Sequence, residues 1–369
     1  MSDTLVIFLD GYGYDLLQRE GDFLDSFDNI APLQPGFGFS ANIYYELFAG
    51  LTPDEVGYLN KFVRREEGPP VADPPELLAK ALDALGPTPL LSRGFHILYD
   101  RLAGTGQLAT IPFQYLQYFE RNEYHDVFYT DSFETVFNVF DFDIVTTLDN
   151  SFETPEDAVE ATIETAETAN RLFVGLSIDG ITHRHGVDAP RRIERARNLD
   201  DWCASIVEAF RDNTGDSDPD IVIFSDHGFV DVEQSVSVDL ESRFGTPDPD
   251  SYLYFLDTTV ARVWCEDEAL RDDIATYFDS LDVGRVLTDA ERADFGITSE
   301  SFGDIIFLLE EGIVFHPSFM GGRLDEAMHG YDPVLSSQRA FFASNVDDNP
   351  ELPETTVEVY DFLCDVYEH

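Results

Sequence analysis

The chain has 369 residues and carries 73 acidic against 22 basic side chains, a formal net charge of −51. That balance excludes a nucleic-acid polymer as partner, since such a partner needs a basic footprint. Cys203, Cys265 and Cys364 are odd in number and lack CxxC spacing, which excludes a disulfide framework and a cysteine zinc site. Disorder is excluded too: hydrophobic residues make up 43% of the chain, and its 31 Phe and 16 Tyr are spread throughout. The acid therefore belongs to the surface of an ordinary core. With Lys61 and Lys80 as the only lysines, this composition predicts adaptation to high salt. At molar salt the screening length falls to ~3 Å and self-repulsion between carboxylates fades. MSDTLVIFLD has no basic leader region, and no window nears an 18-residue apolar span, so the expected location is cytoplasmic, away from membranes.

In chain order, Thr4–Leu9 reads as the first strand. Phe39–Phe48, after a Gly-Phe-Gly turn, reads as a helix with Ser40 near its start. Pro74–Leu85 has helical spacing and stops at Gly86. The stretch 87–142 is rich in loops and aromatics and is expected to line one side of a site. Asp143–Thr147 is a strand, Pro155–Ala169 an acidic amphipathic helix, and Arg171–Ile178 a strand. Ile193, Ala196, Leu199, Trp202, Ile206 and Phe210 mark a long helix over 189–212. Ile221–Ser225 is another buried strand. Alternating strands and helices predict an α/β fold with a mainly parallel central sheet covered on both faces. After about residue 235 the texture changes: strands at Ser251–Leu256, Val260–Cys265, Val283–Leu287 and Asp304–Leu309, and a helix at Asp267–Ser280. The expected organisation is a catalytic core over 1–235, a smaller inserted α+β cap over 236–325, and the core resumed over 326–369.

Ligands of parallel sheets gather at the strand C-termini, and Asp and His residues collect there in this chain. IVIFSDHGF ends in Asp226-His227-Gly228, good ligands for a borderline metal, with a glycine expected to let the backbone turn away. VIFLDGYG ends in Asp10. LFVGLSIDGITHRHG carries Asp179 and His183, and EAMHGYDP carries His329. These segments together have the arrangement of an α/β metalloenzyme.

The same segments, in the same order, resemble the alkaline phosphatase superfamily, nearest its type I phosphodiesterase/nucleotide pyrophosphatase branch. Asp10-Gly11, the turn Gly50-Leu51-Thr52-Pro53-Asp54 with Ser40 ten residues before it, Asp179-x-x-x-His183, Ser225-Asp226-His227-Gly228 and Met328-His329-Gly330-Tyr331-Asp332 carry the resemblance. The resemblance implies two divalent ions, zinc on the ligand types, with manganese as the alternative. It assigns Asp10, Ser40, Asp226 and His227 to one ion and Asp179, His183 and His329 to the other. It makes Ser40 the nucleophile, activated by its metal and by the helix N-terminus, and implies a phosphoseryl intermediate. The chain departs from the branch in two respects. Ser40 stands where Thr is commoner, and Ala41-Asn42-Ile43 replaces Phe-Pro-Asn. Asn42, one residue early, is the candidate oxyanion contact. Asn60, Phe39 and Tyr58, near the nucleophile segment, are candidate substrate contacts.

The expected activity is hydrolysis of a small phosphate ester, as a phosphodiesterase or nucleotide pyrophosphatase. A phosphomonoesterase and a metal-dependent phosphomutase of the same superfamily are alternatives. The mutase needs a basic closing domain, and residues 66–170 are poor in basic side chains. A phosphonate or sulfate ester hydrolase is a further alternative, although the sulfatase Cys-x-Pro-x-Arg sequence is absent. A non-catalytic metal-binding homologue is the reading from another class.

Overall fold

The computed structural model describes residues 3–65, 111, 118–121, 127–148, 152, 154–215, 218–320, 323–346 and 351–368. The helix expected over Pro74–Leu85 lies outside them. Two compact units emerge: Met1–Val56 with Tyr124–Val232 and Asp325–His369, and Gly57–Glu123 with Glu233–Leu324.

The first unit is organised by a six-stranded sheet. Its labelled strands are β1 (Thr4–Asp10), β2 (Asn29–Leu33), β3 (Asp143–Thr146), β4 (Arg171–Ser177), β5 (Asp220–Phe224) and β6 (Ala340–Ser344). The order across the sheet is β2-β6-β5-β1-β4-β3. β1 runs parallel to both β4 and β5, and β3 runs parallel to β4, whereas β6 is antiparallel to β5 and β2. β1 is buried along its whole length, which is why TLVIFLD reads as an unbroken apolar run instead of alternating. β2 went unread because Pro32 interrupts it; proline removes a ladder donor and is tolerated on an edge, where β2 lies.

The helices of this unit are α1 (Ser40–Ala49), α2 (Pro155–Ala166), α3 (Asp179–His185), α4 (Pro190–Thr214) and α5 (Glu358–Glu368), with a short helix at Tyr14–Glu20. Successive strand residues face opposite sides of the sheet. One side presents Leu5, Ile7, Leu9, Leu172, Val174, Ile221 and Ile223 to Ala196, Leu199, Ile206 and Phe210 of α4 and to Val159 of α2. The other side is aromatic. Phe8, Phe173 and Phe224 surround Phe48 of α1 with ring centroids 5.3, 5.5 and 6.1 Å away. Phe342 meets Phe362 of α5 at 4.8 Å. Each such pair adds about 0.5–1.5 kcal/mol beyond its buried area, so α1 is anchored by ring packing. Phe128 and Phe137 join this aromatic layer against Phe48. The described part of the 87–142 stretch in this unit thus supplies core under α1, where a site lining had been expected.

The second unit contains a four-stranded antiparallel sheet in the order Tyr252–Leu256, Val260–Cys265, Ile305–Leu309, Gly284–Val286. The helix Glu268–Asp279 contributes Ile274 and Phe278 to its core. Among these apolar groups, Arg262 is fully buried. Its Nε donates to Asp257 Oδ2 at 2.7 Å, and its Nη2 donates to the Phe62 carbonyl at 2.9 Å.

Candidate active site

The register of the sheet assembles the site. Asp10 pairs opposite Ser177, and Phe8 opposite Phe224. Continuing β5 by two residues brings Asp226 level with Asp10, and their carboxyl groups meet. Asp226 Oδ1 is held by the backbone N–H of Gly11 at 2.8 Å and of His227 at 3.0 Å. The Ser177 hydroxyl donates to Asp10 Oδ2 at 2.6 Å and accepts from the Asp179 N–H at 3.2 Å. α3 puts Asp179 and His183 one turn apart on one face, with Oδ1 and Nε2 3.2 Å apart. His329 follows the short strand Ala327–Met328, which pairs with Val230–Asp231 just beyond His227. The His329 and His227 rings stack at 3.6 Å with 7° between their planes. Phe229 edges onto His183, His227 and His329 at 4.9, 5.2 and 5.1 Å, fixing all three imidazoles with one apolar ring.

Gly228 has a different purpose from the one its sequence suggested. A Cβ there would collide with the Ser337 carbonyl oxygen, so glycine is required for close backbone approach. Gly50 is a true conformational glycine: it ends α1 in the left-handed region at φ 65°.

Among the described residues, two groups of side chains each bring their ligand-type atoms within 4.8 Å of one another: Asp179, His183 and His329, and Asp10, Asp179 and His227. The first is the set expected for one ion. The second gains Asp179, which belongs to both groups. Asp226 stands beside it, Oδ2 being 3.1 Å from His227 Nε2.

The donor chemistry fits cations. His183 Nδ1 faces the Ala327 carbonyl at 2.9 Å and His227 Nδ1 faces the Gly228 carbonyl at 3.1 Å. A carbonyl only accepts, so each Nδ1 carries the hydrogen and each Nε2 presents its lone pair to the site. Those lone pairs confront carboxylate oxygens. Asp10 Oδ1, Asp179 Oδ1 and Asp226 Oδ2 are buried without a hydrogen-bond partner among the described residues. Lone pair against lone pair is repulsive unless a proton or a metal lies between. Without metal, protons fill the role. Burial pushes the Asp10 carboxyl well above its ordinary range, helped by the charges of Asp226 and Asp179. Burial opposes charge on Asp179, yet His183, His329 and His227 together hold it well below the usual carboxylate range. Burial likewise opposes charge on His183 and His227, but Asp179 and Asp226 respectively outweigh it and raise both imidazoles.

Ser40 opens α1 as its first helical residue, one place after the Phe39 cap position. Its hydroxyl lies 3.2 Å from His227 Nε2, beside the Asp10–Asp179–His227 group. The positive end of the helix favours an anion developing on that oxygen.

The chain matches the type I phosphodiesterase/nucleotide pyrophosphatase family over residues 4–332. It belongs to that family. A type I phosphodiesterase/nucleotide pyrophosphatase is a phosphoester hydrolase, and metal dependence is the norm of the family. No curated protein sequence matches the chain. Human ectonucleotide pyrophosphatase/phosphodiesterase 5 has a similar structure, with TM-score 0.67 at 13% identity over 99% of this chain and 95% of that one. The murine counterpart, solved as an inactive variant in complex with AMP, gives a TM-score of 0.65 at 14% identity over 100% and 95%. At such identities the likeness concerns the α/β fold alone.

The expected substrate contacts fare differently. Asn42 is fully buried and its amide is spent: Oδ1 accepts from Phe39 N at 2.9 Å, and Nδ2 donates to the Phe37 carbonyl at 2.9 Å and to Glu46 Oε1 at 3.2 Å. With both amide hydrogens engaged, Asn42 is withdrawn as an oxyanion contact. Asn60 belongs to the second unit, where it is buried and donates to Asp257 Oδ1 at 2.7 Å; it supports Arg262's partner and is withdrawn as a substrate contact. Tyr58 is half-buried in that unit. Phe39 remains at the site as a buried ring set edge-on to His329 at 5.9 Å. Sequence reasoning missed Ser177 and Phe229, which touch several of the candidate ligand residues at once. Phe229 directly follows the Asp-His-Gly string, and Ser177 ends the strand before Asp179; adjacency was the available signal.

Proposed function

We propose that this chain hydrolyses a phosphodiester or nucleotide pyrophosphate bond with two divalent ions, through a covalent phosphoseryl intermediate on Ser40. The observation that carries this reading is Ser40 Oγ at 3.2 Å from His227 Nε2, on a helix N-terminus beside two ligand groups that share Asp179. Asp10, Asp226 and His227 would hold one ion beside Ser40, and His183 and His329 the other, with Asp179 placed to serve both. When bound, the ions supply positive charge for the serine alkoxide, the phosphoryl oxygens and the departing oxygen. Ser40 Oγ attacks phosphorus as the bond to the departing alcohol or phosphate breaks. Water then attacks the phosphorus bound to Ser40, which still carries the substrate's other substituent, and releases Ser40 and a phosphomonoester. The imidazoles are held by the Ala327 and Gly228 carbonyls and by Phe229, so the ligand set is arranged before substrate arrives. The AMP bound to the murine neighbour favours a nucleotide-type substrate. Asp and His ligands favour zinc.

We also propose that the enzyme works in concentrated salt. Glu156, Asp157, Glu160, Glu164 and Glu167 all lie exposed on or just beyond α2, a density of like charge that screening relieves.

The test is a parallel assay in molar KCl, with zinc or manganese, of p-nitrophenyl phosphate, bis-p-nitrophenyl phosphate, p-nitrophenyl phenylphosphonate and p-nitrophenyl sulfate. The diester is expected to turn over fastest. Ser40→Ala is expected to lower that rate by at least about a thousandfold, and acid quenching of the wild type during turnover of the diester should leave a p-nitrophenyl phosphoryl group on Ser40. A Ser40→Ala enzyme with wild-type turnover sinks the covalent mechanism.

A further inference from the structure

Beneath the nucleophile lies a buried polar cluster that the proposed reaction does not use. Asn42, Glu46 and Thr356 are all fully buried. Glu46 Oε1 accepts from Asn42 Nδ2 at 3.2 Å, and Glu46 Oε2 accepts from the Thr356 hydroxyl at 2.5 Å. Thr356 Oγ in turn accepts from Gly36 N at 3.0 Å, while Thr356 N donates to the Gln34 carbonyl at 3.1 Å. Asn42 closes the other side through Phe39 N and the Phe37 carbonyl. The bonds therefore converge on Gln34–Phe39, the segment leading directly into Ser40. Gly36 is packed so tightly here that a Cβ would overlap the Glu46 carboxyl group.

We propose that Glu46 and Asn42 are positioning residues for Ser40, fastening the Gln34–Phe39 turn to α1 so that the serine oxygen stays at His227 Nε2. The proposal rests on Ser40 as the nucleophile. Its physical basis is the cost of the arrangement. Helix packing alone would be served by an apolar side chain at position 46, since the neighbouring Tyr45, Leu47 and Phe48 are already buried. A carboxyl group in that position loses its hydration and recovers it only through the turn. Burial pushes the Glu46 carboxyl up to about 7 against the hydrogen bonds from Thr356, Asn42 and Gly36. An error of about 1 Å at a reacting atom can cost on the order of a hundredfold in rate, so an anchor one turn below Ser40 has leverage on chemistry without touching substrate.

The experiment compares wild type, Glu46→Ala, Glu46→Gln, Ser40→Ala and the Ser40→Ala/Glu46→Ala double variant as full chains in molar KCl with saturating zinc. Glu46→Ala should lower kcat by about 10–100-fold with KM within about threefold and unchanged bound zinc. Glu46→Gln, which keeps an acceptor for Asn42, should restore kcat to within about threefold. In the Ser40→Ala background, Glu46→Ala should have no further effect on the residual rate, because the group it positions is gone. Undiminished kcat in Glu46→Ala overturns the proposal, as does an equal loss in both backgrounds, which marks a general structural role. If Ser40→Ala itself keeps wild-type turnover, the nucleophile reading fails and takes this proposal with it. Should Glu46→Ala not fold, the near-isosteric Thr356→Val replaces it. It should lower kcat about 3–10-fold, because it removes both hydrogen bonds of that hydroxyl, to Glu46 and from Gly36 N, and an unchanged kcat there overturns the proposal equally.

Discussion

Ser177→Ala is the sharpest probe of the proposed metal centre, because it removes a hydroxyl without removing any expected ligand. That hydroxyl donates to Asp10 Oδ2 over 2.6 Å and receives the backbone N–H of Asp179 over 3.2 Å. The first contact is a short O–H···O bond, and it becomes charge-assisted when a bound cation keeps Asp10 ionised. It leaves Asp10 Oδ1 open, one of the oxygens without a partner among the described residues. Hydrogen bonds to charged groups contribute about 1.5–3 kcal/mol. Converted to an equilibrium constant, that is about 10–150-fold in metal affinity, in line with the ~10–100-fold typical when a ligand's supporting partner is lost. The assay is competition for zinc against a chelator of known affinity, together with turnover measured against free zinc. The zinc concentration for half-maximal rate should rise by about 10–100-fold, while kcat at saturating zinc stays within about threefold of wild type. Unchanged zinc affinity would refute the assignment of Asp10 as a ligand oriented by Ser177. A loss of kcat that excess zinc cannot restore would assign Ser177 to the chemistry or the fold.

Glu46 makes stability depend on pH in a defined direction. Its carboxyl rises from the ordinary 4.5 to about 7 in the folded protein, so between those values the native state holds the extra proton. This stabilising contribution is complete below about pH 4.5 and lost as pH rises through about 7, at most about 3 kcal/mol. Glu46→Gln should therefore gain on wild type in urea midpoint between pH 5 and pH 8 in molar KCl; parallel pH profiles for the two proteins would contradict the burial of a titrating acid. The net charge of −51 predicts a melting temperature that climbs with KCl, and a flat series from dilute buffer to molar salt would dismiss salt adaptation. In the second unit, Asp257→Ala leaves the buried Arg262 guanidinium without its carboxylate and should cost about 3–5 kcal/mol. Chemical denaturation followed by Trp264 fluorescence reads this loss, and a change under about 1 kcal/mol would show that water reaches Arg262.

The elements read from the chain were those whose pattern is local and strongly periodic. β1, β4 and β5 are unbroken apolar runs, and the helix spacing over 189–212 marked α4. β2 and β6 were missed. β2 contains Pro32, tolerable only at an edge that pairing defines, and β6 is the antiparallel member of a mainly parallel sheet. The Asp179–His183 pairing was legible because four residues make one helical turn. The Asp226-His227-Gly228 string stood out because a buried strand seldom ends in a charged group without a purpose.

Asn42 shows where such reading stops. From the chain alone, an amide two residues beyond a nucleophile looks available to substrate. Folding brings the Phe37 carbonyl and the Glu46 carboxyl to its hydrogens, and an amide has no third hydrogen to offer.

The chain by itself determined the kinds of donor and their places on local structure: carboxylates and imidazoles at strand ends, a serine at the mouth of a helix, and acid across the surface. These are matters of residue type, periodicity and short-range spacing. Only the tertiary structure decided how the donors are shared and held. Asp179 is common to two ligand groups, Ser177 orients Asp10, one phenylalanine steadies three imidazoles, and Glu46 secures the turn before Ser40. Each of these depends on strand register and on contacts between residues remote in sequence. Such contacts arise when the sheet closes, because a buried lone pair must then find a hydrogen or a cation.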